Sequence, residues 1–319
     1  MKKSGKLILM LILIVSLLLV SSCSRVPGGE RPSETAALAK EVQSGTQGVE
    51  LEFVRNTPPN TIYDQNELIS LVEVRNRGNY DLQPQDCVLQ ITGFDPSIIR
   101  GDFNFVRSCT DGIGGALEGK KLYNVEGGFN QVEFRSTSVS LPEGVFEYSP
   151  QLNYLACYVY RTRANPLVCV DPLLYQVTAE QRTCTPNDVS MGGGQGGPVG
   201  ISYVGVDMVG SKAIFEINVV NFGSGRVISR DADIRNCGQS SLSYTDLDKV
   251  YYNVEMNSGG KIDCKPRDGY VRLVNGNGKM VCSFNVNGGS AYETPLMIEL
   301  DYGYVESYTK NINIIRTPE

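Results

Sequence analysis

Nine cysteines and no histidine limit the chemistry this 319-residue chain can carry. Without histidine there is no Ser-His-Asp or Cys-His catalysis, no HExxH metalloprotease site and no mixed Cys/His zinc site. The side chain that ordinarily titrates between pH 5 and 8 is also missing. No CxxC spacing occurs, so zinc and iron–sulfur ligation by the cysteines is not expected. Apart from Cys23 there remain Cys87, Cys109, Cys157, Cys169, Cys184, Cys237, Cys264 and Cys282. In an exported chain eight such residues imply up to four disulfides, with 105 possible connectivities.

Other motifs carry little chemistry. Gly192, Gly194 and Gly197 match GxGxxG, but Pro198 and a strand pattern follow where a dinucleotide site needs a helix. Ser258 to Lys261 and Ser307 to Lys310 match SxxK without the companion motifs of penicillin-binding chemistry, and both read as turns. Asp231 with Asp233, and Asp246 with Asp248, are carboxylate pairs whose default is a solvated loop, and no calcium-loop pattern surrounds them. Tyr244, Tyr251, Tyr252, Tyr302 and Tyr304 could form a recognition surface or serve as cross-strand core partners. No catalytic residue, cofactor or metal site is expected, and the reading is of a protein that is not an enzyme.

These residues need elements to hold them, and the first is a targeting segment. Lys2, Lys3 and Lys6 precede an apolar run over residues 7–20, broken only by Ser16. That length suits the apolar region of a signal peptide better than a span of about 20 residues. Leu19-Val20-Ser21-Ser22-Cys23 then resembles the lipobox of prokaryotic lipoproteins. The resemblance implies cleavage after residue 22 and lipidation of Cys23; an ordinary cleaved signal peptide or an uncleaved anchor are the alternatives. Residues 23–47, rich in Pro, Gly, Ser, Glu and Lys, read as a tether with a turn or two of helix near Ala36 to Val42.

From Val49 onward the pattern is of strands. Val49, Leu51 and Phe53 alternate with Glu50 and Glu52; Phe215, Ile217 and Val219 alternate with Glu216 and Asn218. Asn76-Arg77-Gly78 and Asn221-Phe222-Gly223 each close a strand and lie 145 positions apart. A second echo at nearly this offset pairs a hairpin over residues 152–170, turning at 163–166, with one over residues 296–315, turning at 307–310. Two landmarks at one offset argue for duplication. The expectation is an all-β chain of two tandem Ig-like β-sandwiches, residues 48–185 and 200–319, joined by a glycine-rich linker over residues 186–199.

If the first hairpin turns near Arg163, Cys157 and Cys169 face each other on adjacent strands at a separation suited to a disulfide. Cutting at the linker leaves an odd cysteine on each side. Either Cys184 bonds forward into the second half or each half keeps a free thiol; the first is the expectation.

The strand–Asn-x-Gly pattern resembles CARDB-type and related Ig-like modules of prokaryotic surfaces. The segment 45–53 with Asn56-Thr57-Pro58-Pro59 is similar to exported archaeal proteins. The resemblance implies an extracytoplasmic, membrane-anchored location in the cell envelope. The expected role is adhesion or envelope assembly, with membrane lipid and an envelope protein or glycan as partners. Binding of carbohydrate or another solute is the alternative. The net charge of −6, with no basic cluster after Lys6, disfavours nucleic acid.

Overall fold

The computed structural model describes residues 34–176, 182–238, 242–257, 262–286 and 288–318. Cys23, the apolar run and the first part of the tether lie outside them. Helix α1 (Glu34–Gln43) stands where a short helix was expected, with Lys40 in its last turn, where a cation suits the helix dipole. Among the described residues no helix is long and apolar enough to cross a membrane. The rest is mostly β, in antiparallel sheets, and residues Leu38–Glu319 form one compact unit.

Before the glycine segment the strands are β1 (Val49–Phe53), β2 (Thr61–Tyr63), β3 (Leu68–Asn76), β4 (Cys87–Thr92) and β5 (Arg107–Ser108). They continue with β6 (Phe129–Ser136), β7 (Glu147–Tyr148), β8 (Gln151–Ala164) and β9 (Leu167–Val170). After it come β10 (Val189–Ser190), β11 (Val199–Val209), β12 (Lys212–Asn221), β13 (Arg226–Ile228) and β14 (Lys249–Met256). The last are β15 (Ile262–Lys265), β16 (Tyr270–Arg272), β17 (Asn277–Asn285), β18 (Tyr292–Asn311) and β19 (Asn313–Ile315).

The two halves repeat one order. β1-β3-β6 form a sheet in the first half, and β11-β12-β17 run in the same order in the second, extended by β10 and β15. Most remaining strands share a central sheet, β16-β14-β18-β8-β4-β5, whose two sides mirror each other about the β18–β8 pair, with β9 and β13 also paired to β18. β2, β19 and β7 form a separate small sheet in which β2 and β19 run parallel. The halves therefore do not keep separate cores. Leu68, Phe134 and Tyr160 belong to the same buried cluster as Phe215, Met280 and Tyr302.

The expected hairpins are not formed. β8 pairs with β18 from Gln151↔Asn311 to Ala164↔Ile298, and β9 continues the same register from Leu167↔Pro295 to Val170↔Tyr292. Pro166 interrupts the strand without turning it, since its carbonyl still accepts from the Leu296 N–H at 2.9 Å. Residues 307–310, expected as a turn, are likewise strand: Ser307 faces Leu155 and Lys310 faces Leu152. Local sequence proposed a turn, and a long non-local ladder overrode it.

The duplication is visible atom by atom. Asn76 Oδ1 accepts from the Gly78 N–H, its Nδ2 donates to the Tyr80 carbonyl, and the Tyr160 hydroxyl donates to Oδ1 while accepting from the Tyr80 N–H. Asn221 repeats each bond with Gly223, Gly225 and Tyr304. The glycine of each Asn-x-Gly is required by packing: a Cβ would lie 1.8 Å from the Tyr160 hydroxyl at Gly78 and 2.3 Å from the Tyr304 hydroxyl at Gly223. Tyr158 and Tyr302 similarly accept from the N–H groups of Val49 and Val199, both at 3.2 Å. The four rings meet across the β8–β18 ladder, Tyr158 with Tyr304 and Tyr160 with Tyr302.

All eight cysteines are oxidised, in pairs that differ from the expected ones. Cys157 bonds Cys237, and Cys169 bonds Cys184; Cys87–Cys109 and Cys264–Cys282 complete the set. Cys157 and Cys169 cannot meet, because they stand on one nearly straight line of chain, about 40 Å apart at ~3.3 Å per residue. Cys184 closes a local loop, and the bond between the halves is Cys157–Cys237. The glycine segment is packed as well as tied. Residues 194–200 are buried, Gly45 N–H donates to Gly193 O, and Gly196 N–H donates to Gly45 O.

Candidate functional site

Alternation along β8 and β18 separates two faces. Even positions, the tyrosines among them, point into the main core. Odd positions point to the other side of the central sheet, where Cys157 and Val88 pack beneath Ile234 and Cys237 of the β13–β14 connection. Gln90, on β4, donates to Cys237 Sγ at 2.8 Å under the same cover. Asp233 caps the 3-10 turn Ile234–Asn236, and Ser243 with Asp246 forms a capping box on the turn Tyr244–Asp246. These aspartates therefore shape the connection rather than form a reacting pair.

Beside this cover the same face carries a cluster of aromatic and cationic side chains. Tyr251 on β14 lies opposite Tyr270 on β16, ring centroids 5.7 Å apart. The Arg230 guanidinium stacks 4.3 Å from the Tyr251 ring and donates to Asp301 Oδ2 at 3.1 Å. Arg161, across the ladder, grips the same carboxylate through Nε at 2.6 Å and a second nitrogen at 3.1 Å. The Lys249 ammonium sits 4.7 Å from the Tyr270 ring, with no carboxylate within ion-pair distance among the described residues. Arg272 lies 5.0 Å from the Tyr244 ring and donates to the carbonyls of Tyr244 and Leu247, which fixes the 3-10 turn above it. Tyr244 itself is 77% exposed.

Electrostatics here are set by contact. A hydrogen bond to the Asp231 carboxylate raises the Tyr251 phenol above its ordinary value. The arrangement presents aromatic edges, a hydroxyl and two cations, Lys249 and Arg272, that have no ion-pair partner among the described residues. Among the described residues no cluster of His, Cys, Asp or Glu could hold a metal ion.

Of the residues singled out from the sequence, Tyr244 and Tyr251 fall in this patch. Tyr252, on the opposite face, is half-buried against the main core and donates to the Pro266 carbonyl. Tyr302 and Tyr304 are wholly buried. The cysteines brace the fold, and Ser258 and Lys261 lie outside the described residues. Sequence reasoning missed Arg230, Lys249, Tyr270 and Arg272. The alternation Lys249-Val250-Tyr251 and Tyr270-Val271-Arg272, buried valine between half-buried partners, was the available signal.

No family model and no curated protein matches the chain. Among solved structures, the secreted serine protease VesC from Vibrio cholerae aligns at a TM-score of 0.19 and 10% identity, covering 82% of this chain and 51% of that one. This chain thus spans about half of that protein's length, and a likeness this low carries no argument about fold or activity. Four disulfides in a β fold are the mark of an extracytoplasmic protein.

Proposed function

We propose that this chain is a membrane-anchored, disulfide-stabilised surface protein that acts by binding, without catalysis, in adhesion or envelope assembly. The observation that carries the reading is the cluster of Tyr244, Tyr251 and Tyr270 with Lys249, Arg230 and Arg272 on one face of a cross-linked sheet. Tyrosine and arginine are the residue types enriched at recognition surfaces, and rigid placement lowers the ordering cost of binding. The proposed form of each half is an Ig-type sandwich, β1-β3-β6 with β8-β4-β5 in the first, and the place of a final strand beside β8 would be taken by β18 of the other half. Cys23 is the proposed lipid attachment.

Two measurements test this. Intact mass of the natively produced protein should show a chain starting at Cys23 with added acyl mass; a retained residue 1–22 segment would refute the lipid attachment. Purified protein should bind isolated envelopes saturably, and Tyr244→Ser with Lys249→Ser should weaken that binding at least tenfold while leaving unfolding unchanged. Equal binding by the double variant would show that the patch is not the contact face. A second reading, carbohydrate or solute binding, is favoured by the grouping of three tyrosines. Their ring faces already hold cations, which leaves edges and hydroxyls for a sugar. Saturable binding to a neutral glycan on an array, lost in the same variant, would select it.

A further inference from the structure

The two halves match along their first strands until one position, and there they part. On β11 the Val199 N–H points away from β12 to the Tyr302 hydroxyl. Two residues on, the Ile201 N–H donates to Gln195 Oε1 at 2.7 Å and the Ile201 carbonyl accepts from Gln195 Nε2 at 3.1 Å. A single buried carboxamide therefore closes the open edge of β11 with the same donor–acceptor pair that a neighbouring strand would offer.

On β1 the Val49 N–H points to Tyr158 in the same way. Gly48 O accepts from the Arg77 N–H and the Val54 N–H donates to Leu71 O, so the even positions face β3. Leu51 must then direct its N–H and carbonyl outward, as Ile201 does. The residue in the place of Gln195 is Gly45, which has no side chain to offer. Among the described residues nothing bonds the outward N–H or carbonyl of Leu51. A cleft of about 180 Å³ stands there instead, between residues 46–51 on one side and Ser224, Glu306 and Tyr308 on the other. In the second half the matching edge is covered: Gln195 bonds Ile201, Asn79 donates to the Gln195 carbonyl and lies against Gly196, and Thr162 lies against Gly197.

We propose that this cleft is a docking site for the side-chain carboxamide of a glutamine flanked by glycines on a partner peptide. The occupant is argued from the molecule's own second half. Gln195 reaches Ile201 from a bent run, Gly194-Gln195-Gly196, whose glycines take positive φ (70° and 73°) and let the backbone pass close to Asn79. A carboxamide supplies one acceptor for the Leu51 N–H and donors for the Leu51 carbonyl and Glu306. A carboxylate would lack the donors and face Glu306, and a hydrocarbon would leave the edge groups buried and unpaired, the costly outcome. Glu306, half-buried, is held in place by the Ser224 hydroxyl at 3.0 Å. The cleft shares no residue with the tyrosine patch, and the proposal stands or falls separately from the function proposed above.

Hydrogen–deuterium exchange on the full-length, oxidised protein in detergent tests it, with acetyl-Gly-Gln-Gly-amide as the probe. Without probe, the segment around Leu51 should exchange at least tenfold faster than that around Ile201. At 20 mM the probe should slow exchange over residues 46–53 at least threefold and saturably, whereas acetyl-Gly-Leu-Gly-amide and acetyl-Gly-Glu-Gly-amide should not. Ser224→Tyr, at an exposed turn, should fill the cleft and abolish the effect, with exchange at Ile201 reporting that the fold is intact. Gln195→Ala should open the second site, speed exchange at Ile201, and let the probe slow it again. Absence of protection by the glutamine peptide, or equal protection by the leucine peptide, would overturn the proposal.

Discussion

The tyrosines at the centre of the molecule make its stability against alkali a direct test of the packing. Tyr154, Tyr158, Tyr160, Tyr302 and Tyr304 are all buried. Burial raises every one of their phenols, Tyr304 to about 12. Their unfolded value is about 10. A folded pKa above the unfolded one means that the contribution to stability is fully present below pH ~10 and is lost as pH climbs toward the folded values. At pH 11 each such tyrosine costs the folded state about 1.4 kcal/mol, because the unfolded phenol is by then mostly ionised. Five of them remove about 7 kcal/mol, against a typical total stability of about 5–15 kcal/mol. With no histidine in the chain, stability should be nearly flat between pH 6 and 9 and then fall steeply. Absorbance at 295 nm, followed with near-ultraviolet circular dichroism within minutes of each pH jump, should resolve two classes among the 17 tyrosines. The five buried ones should ionise only in one cooperative step that coincides with unfolding between pH 11 and 12. A single smooth titration of all tyrosines with the dichroism unchanged would refute the buried cluster.

Two further perturbations separate the halves and the cross-links. Tyr160→Phe orphans a buried cluster at Asn76 and Gly196 and should cost about 2–3 kcal/mol, whereas Tyr304→Phe acts at half-exposed Asn221 and Gly225 and should cost about 1 kcal/mol. Urea unfolding gives both, and equal losses would contradict the assignment. Replacing Cys157 and Cys237 together by alanine opens a sequence separation of 80 and should cost about 4 kcal/mol, more than the ~3 kcal/mol for the Cys169–Cys184 pair at a separation of 15. Guanidinium midpoints under oxidising conditions rank the two, and the reverse order would count against the staple between halves.

Much of the fold was legible in local pattern. Period-2 alternation marked β1 and β12, and Asn76-Arg77-Gly78 with Asn221-Phe222-Gly223 marked a repeat. What those motifs wait for was not legible, since each asparagine is completed by a tyrosine more than 80 residues further on. The same distance in sequence hid the disulfides. Arg163 to Pro166 looks like a turn when read alone, and only β18, more than 120 residues away, holds it extended. Once that strand is straight, the pairing of Cys157 with Cys169 fails and a partner in the β13–β14 connection becomes available. The patch escaped for a related reason: Arg230, Tyr251 and Tyr270 come from three segments that only the sheet brings together.

The pairing of β8 with β18 also explains why the two faces of the central sheet differ. A half alone would leave β8 as a long open edge, which invites association; pairing each half's long strand with the other's closes both. Val159 faces Gly303 at the middle, so equivalent strands run antiparallel about a local two-fold. On the inner face each half must fill the same kind of core, and the symmetry is kept: Tyr158 meets Tyr304 and Tyr160 meets Tyr302. On the outer face no such demand acts, and equivalent places have diverged. Arg161 opposite Asp301 became an ion pair extended by Arg230, while the matching places, Val305 and Cys157, became the floor beneath the β13–β14 connection and its disulfide. A surface released from symmetry in this way, stiffened on one side by Cys157–Cys237 and lined on the other by tyrosines and cations, is where a recognition function can evolve without disturbing the core.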